Sequence, residues 1–77
     1  MKTLQLYSRP GCHLCERLEA ELGPVISGHA LLEIIDISED PTLLRRYGLR
    51  IPVLADDGRE LSGYPLQVDR VRSHLKL

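Results

Sequence analysis

The chain has 77 residues, 43% of them hydrophobic, with no Phe and no Trp, and a formal net charge of −1. That length holds one domain, residues 1–77, with a core of Leu, Ile and Val, and the apolar content argues against disorder. Charges of both signs are mixed along the chain, so no nucleic-acid surface is expected, and no apolar run is long enough to span a membrane.

Met1-Lys2-Thr3-Leu4 opens like a signal peptide, but Gln5, Ser8 and Arg9 interrupt any apolar h-region. No export signal is expected, and the expected compartment is the cytoplasm, where thiols are kept reduced. Thr3-Leu4-Gln5-Leu6-Tyr7 reads as a first strand and Ser8-Arg9-Pro10-Gly11 as a tight turn. The spacing predicts a helix over 12–22, with Cys15, Leu18 and Leu22 on its apolar face and Leu14 near it. Glu16, Arg17, Glu19 and Glu21 fall largely outside that face. Gly23-Pro24 reads as the helix stop, Gly for a left-handed cap and Pro against continuation. Gly28-His29 reads as a turn.

Residues 31–37, Leu-Leu-Glu-Ile-Ile-Asp-Ile, are nearly continuous in apolar side chains, the pattern of a central strand covered on both faces. Asp40-Pro41 opens a short helix, with Asp40 as N-cap, Leu43, Leu44 and Tyr47 as its apolar side and Gly48 as its end. Residues 51–55 form a third strand, Asp57-Gly58 a tight turn and 59–61 a fourth strand. A last helix is expected over 65–76, with Val68, Val71 and Leu75 inward and Arg70, Arg72 and Lys76 outward. His29 and His74 read as surface residues, and the three tyrosines as amphipathic core edges, with Tyr64 near the site if the fold holds. The order βαβαββα requires a parallel crossover and then an antiparallel hairpin, giving a four-stranded mixed α/β sheet flanked by three helices.

The chemistry is concentrated at Cys12-His13-Leu14-Cys15, which holds the only two cysteines. Two cysteines three apart on a first helical turn reach bonding distance with little backbone movement. At a helix N-terminus, unpaired N–H groups and the macrodipole stabilise a thiolate. Cys12 is therefore the candidate nucleophile and Cys15 the candidate resolving thiol. Arg9 is a candidate second positive charge near Cys12, or a solvated loop cation. His13 either tunes the thiolate or is an exposed polar residue. A purely structural bridge removes little unfolded-state entropy across so short a loop. A zinc site lacks a second ligand knuckle, since only His29 and His74 remain, so no metal site is expected. Covalent haem attachment requires His where Glu16 stands.

Leu6-Tyr7-Ser8-Arg9-Pro10-Gly11-Cys12-His13-Leu14-Cys15 and Tyr47-Gly48-Leu49-Arg50-Ile51-Pro52-Val53 resemble the thioredoxin-fold superfamily, and within it the glutaredoxin branch. More narrowly they resemble small bacterial glutaredoxin-like proteins. The resemblance implies a cis peptide at Ile51-Pro52 facing the C-x-x-C loop, with Arg9, Ile51 and Pro52 as substrate-binding residues. Typical glutaredoxins carry Thr-Val before that proline and a Gly-Gly pair after the hairpin. Here the stretches read Arg50-Ile51-Pro52 and Ser62-Gly63-Tyr64-Pro65. Glutathione is thus implied as a possible co-substrate, with part of its site altered, and no resident cofactor is expected.

The function expected is thiol–disulfide exchange on protein or small-molecule disulfides. Its partners are a disulfide-containing protein or low-molecular-weight thiol, and a reductant of the glutathione or thioredoxin-reductase type. A monomer is expected. Two other readings stand beside it: an iron–sulfur or metal-binding module in which a dimer shares a cluster through Cys12 and an exogenous thiol, and a non-catalytic binding module.

Overall fold

The computed structural model describes all 77 residues. Their order is β1 (Lys2–Ser8), α1 (His13–Ile26), β2 (Ala30–Asp36), α2 (Pro41–Tyr47), β3 (Val53–Asp56), β4 (Arg59–Ser62) and α3 (Val68–Leu75). The strands form one sheet in the order β2-β1-β3-β4. β1 runs parallel to β2 and antiparallel to β3, and β3 and β4 form the closing hairpin. This is the four-stranded mixed sheet with three helices that the order of elements implied, in the thioredoxin-like α/β fold that the resemblance implied.

Alternation along β1 decides the layering. Leu4 and Leu6 are fully buried and join Leu18, Leu22 and Ile26 of α1, Ala30, Leu54, Leu61 and Val71 of α3 in one cluster of nine residues. Side chains of opposite parity point to the other face. There Tyr7 stacks on Tyr47 of α2, ring centroids 4.2 Å apart, beside a smaller cluster of Ile37, Tyr47 and Val53. Tyr7 and Tyr64 are partly buried core edges as read from the sequence, whereas Tyr47, 1% exposed, is a core residue.

Local signals account for the short elements. Asp40 Oδ1 accepts hydrogen bonds from the N–H groups of Thr42 (2.9 Å) and Leu43 (3.2 Å), capping α2, with Pro41 at its start. Gly48 ends α2 in a helical conformation, where an added Cβ would lie 2.5 Å from the Leu44 carbonyl oxygen. Asp57 and Gly58 both have positive φ, 50° and 89°, the geometry of a tight hairpin turn.

Four further expectations are corrected. α1 does not stop at Gly23-Pro24 but runs on to Ile26. The buried stripe Cys15, Leu18, Leu22 continues to Ile26, and burying that side chain outweighs the stop signal. The hydrogen bond that Pro24 cannot make is the one the carbonyl of Ala20, an exposed residue, would accept. Leu14, expected near the apolar side, is 45% exposed. β2 is not a central strand; it pairs only with β1 and forms an edge, and Leu31 and Ile34 are 57% and 46% exposed. α3 begins at Val68, three residues later than expected, after a cis Tyr64-Pro65 bond. Leu66 packs on the core while Val68 stays partly exposed.

His74 is another departure. Its Nε2 lies 2.6 Å from Asp56 Oδ2, and only 17% of its side chain is exposed. Lys2 Nζ donates to the same carboxylate oxygen at 2.8 Å. β1, β3 and α3 are thereby tied together at the hairpin end of the molecule. Asp56 is held below the ordinary carboxylate range, first by the Lys2 hydrogen bond and then by His74.

Candidate functional site

The sheet brings the sequence-predicted residues to one end. Tyr7 pairs with Val53, so the chain leaving β1 toward the cysteines passes the chain entering β3 from Pro52. β2 ends on the same side, where Ser8 pairs with Asp36. The loops that hold Cys12 and Pro52 and the last residue of β2, Asp36, thus lie at the C-terminal end of β1.

The loop between β1 and α1 is a tight turn. The Cys12 N–H donates to the Arg9 carbonyl at 3.3 Å, and Gly11 takes φ +80°, a conformation that favours glycine. Cys12 is the N-cap of α1, with extended φ −85° and ψ 103°. Its Sγ accepts a hydrogen bond from the Cys15 N–H at 3.2 Å, the role an oxygen has at an ordinary cap. The helix therefore directs an otherwise unpaired donor at this sulfur, which stabilises negative charge there when the site is reduced.

Cys12 and Cys15 form a disulfide, Cα–Cα 5.3 Å. Their environments differ. Cys12 is half-buried, while Cys15 is only 2% exposed and lies on the inner face of α1. Of the two cysteines, Cys12 is the more accessible from solvent.

His13 points to solvent, its side chain 91% exposed, with Nδ1 3.7 Å from Glu16 Oε2 one turn on. Arg9 is exposed and, with Ser8, Pro10, Gly11, Glu16, Ile34 and Asp36, borders a cleft of about 280 Å³ beside the cysteine loop. Asp36 is held below the ordinary carboxylate range mainly by the side-chain and backbone donors of Ser38, with the Arg9 charge adding to this. Asp36 was not singled out in the sequence. The Asp-x-Ser pattern of a side-chain-capped turn was the available signal.

The Ile51-Pro52 bond is cis and Pro52 is buried. An added Cβ on Gly63 would lie 3.6 Å from the Pro52 carbonyl, so the Gly63 loop runs beside this proline. Ser62 fastens that loop: its hydroxyl donates to the Gly63 carbonyl at 2.8 Å and accepts from the Gln67 N–H at 2.9 Å. Arg50, next to Ile51, is ion-paired with Glu60 and lies over the Tyr47 ring at 5.8 Å. No three side chains of His, Cys, Asp or Glu converge in a metal-binding group.

Residues 3–76 match the family described as Glutaredoxin-like domain (DUF836). The chain belongs to this glutaredoxin-like family. It is 31% identical, over 94% of its length and 80% of theirs, to uncharacterized proteins of Mycobacterium bovis and Mycobacterium tuberculosis. An X-ray structure of a structural-genomics target protein from X. campestris is 38% identical, covers 95% of both chains and superposes with a TM-score of 0.74. A mutant thioredoxin from Halobacterium salinarum is 25% identical over 96% of this chain and 71% of its own, with a TM-score of 0.55. Family, fold and C-x-x-C pair together make this glutaredoxin-like chain a redox-type thioredoxin-fold protein.

Proposed function

We propose that the chain is a thiol–disulfide oxidoreductase that cycles between the Cys12–Cys15 disulfide and the dithiol. The observation that carries this reading is the asymmetry of the two sulfurs: Cys12 at the helix cap, accepting the Cys15 N–H, and Cys15 buried one turn deeper. In the reduced form the Cys12 thiolate attacks one sulfur of a substrate disulfide. A mixed disulfide forms and the first substrate thiolate leaves. The Cys15 thiolate then attacks Cys12 Sγ, closing the internal disulfide and releasing the second substrate thiolate. Two electrons pass to the substrate, and the two protons of the dithiol end on its thiols. Two electrons from an external thiol reductant restore the site.

Ile51 and Pro52 would border the docked substrate, and Arg9, at the cleft beside the cysteine loop, would meet it from there. Glutathione would be a weak partner, because Arg50 is already engaged by Glu60 and the Gly63 loop carries Tyr64. Each charge-assisted hydrogen bond missing from such a site costs about 1.5–3 kcal/mol. The reading places the chain in a reducing compartment such as the cytoplasm.

The test is a pair of variants in an insulin-type disulfide reductase assay. Cys12→Ser is expected to abolish exchange. Cys15→Ser is expected to accumulate mixed disulfides, since the resolving sulfur is gone. Wild-type activity in both would sink the dithiol mechanism.

A further inference from the structure

At the end of the sheet away from the cysteines, a second concavity of about 380 Å³ opens between β4 and α3. It is lined by Arg59 and Leu61 of β4 and by Arg70, Ser73 and His74 of α3. The seven residues of β1 separate the two ends, a span of roughly 20 Å at strand rise. We propose that this concavity binds a phosphoryl group, as free phosphate or as the phosphate of a monoester.

The case rests on charge convergence. None of the five lining residues is a carboxylate. Of the arginines in the chain only Arg50 is in an ion pair, so an unpaired guanidinium alone marks nothing. What distinguishes Arg59 and Arg70 is that a strand and a helix bring them to one hollow. Of the carboxylates near them, Asp56 is held by Lys2 at 2.8 Å and by His74 at 2.6 Å, Glu60 is paired with Arg50, and Asp57 and Asp69 form no ion pair with either arginine. The lining of the hollow therefore holds two guanidinium groups with no ion-pair partner and no carboxylate between them, a charge that a dianion matches.

The donor types fit the same ligand. Guanidinium groups offer forked donors suited to phosphate oxygens, and the Ser73 hydroxyl adds a third donor. Arg70, Ser73 and His74 recur at helical spacing and so share one stripe of α3. His74 is fixed by Asp56 and forms a wall whose position does not depend on ligand. Leu61 supplies an apolar floor. A tetrahedral anion can take contacts from both the strand and the helix, whereas a planar carboxylate is satisfied by a single fork. The hollow is larger than a phosphate ion, leaving room for an organic group attached to it.

The test uses the whole chain, isotopically labelled, with amide shifts followed by NMR at constant ionic strength and pH. Inorganic phosphate and phenyl phosphate are titrated in parallel, with sodium acetate and sodium chloride as comparisons. The expected result is saturable shifts at residues 59, 61, 70, 73 and 74, with residues 9–15 unmoved. Arg70→Gln is expected to weaken phosphate binding about tenfold, the loss of one charge-assisted contact, at an unchanged melting temperature. Arg59→Gln serves the same purpose should the first variant unfold. Tighter binding of phenyl phosphate would assign the site to a monoester, and equal binding to free phosphate. Shifts that do not saturate, shifts spread over all cationic surfaces, acetate binding as well as phosphate, or binding unchanged in both variants would overturn the proposal.

Discussion

On one face of the sheet α1 and α3 close over nine buried residues; on the other α2, seven residues long, closes over three, helped by the Tyr7–Tyr47 stack. The larger cluster anchors α1 through Leu18, Leu22 and Ile26, and α1 carries Cys15 and is capped by Cys12. The smaller cluster includes Val53 and packs against Ile51, so it seats the cis-proline loop. The two halves of the candidate site thus rest on cores of unequal size. Helix α1 is held where burial is deepest, while the loop that would meet a partner is held by fewer contacts. Local stability follows buried apolar contact, so the proline side should open more readily than the cysteine helix.

The largest effect is expected on the thick side. Leu22→Ala removes a fully buried side chain and should cost about 2–5 kcal/mol, a large part of the stability of a small domain. Urea denaturation measures it, and a cost below about 1 kcal/mol would mean that the large cluster is not what anchors α1. Tyr47→Leu, on the thin side, should cost less, about 1–2 kcal/mol, since it keeps apolar volume but loses the Tyr7 stack and the contacts with Arg46 and Arg50. In the same variant hydrogen exchange should quicken around Ile51–Val53 and remain slow in α1. Equal quickening in both would erase the contrast between the faces.

Next in size is the clasp of Lys2, Asp56 and His74. Asp56→Asn should cost about 1 kcal/mol. Because its folded pKa is lowered, Asp56 stabilises the fold above its unfolded value near 4 and loses that contribution as pH falls further. Wild type should therefore lose stability below about pH 4 more steeply than Asp56→Asn, as melting curves over that range would measure; parallel curves would remove Asp56 from the account. The smallest effect belongs to the exposed edge. Leu31→Thr on β2 should change stability by no more than about 0.5 kcal/mol, measured by the same denaturation. A cost of several kcal/mol would return β2 to the covered, central role its composition suggested.

The element order and the sulfur chemistry were legible because they are local. Alternation in β1, the Asp40-Pro41 cap, the Asp57-Gly58 turn and the C-x-x-C spacing each act over a few residues. The misreadings were tertiary. An apolar run such as Leu31–Ile37 reports burial propensity and says nothing of which strands flank it; β1 and β3 took the sheet centre and left Leu31 and Ile34 exposed. Gly23-Pro24 is a sound local stop signal that burial of Ile26 overrides. His74 looked like a surface residue because its partner, Asp56, lies 18 positions away. At the site, Cys12 and Cys15 could be read from spacing alone. Spacing leaves Arg9 either a charge near Cys12 or a solvated loop cation; it is exposed and borders a cleft shared with Asp36, whose placement depends on the parallel pairing of β1 and β2.

The central claim is that the fold makes the two sulfurs unequal. Limited alkylation of the fully reduced chain near neutral pH, with the modified cysteine located by mass spectrometry, tests it most directly. The account predicts that Cys12, capped by the Cys15 N–H and accessible from solvent, is labelled well before Cys15. Labelling of Cys15 first, or of both at one rate, would contradict it.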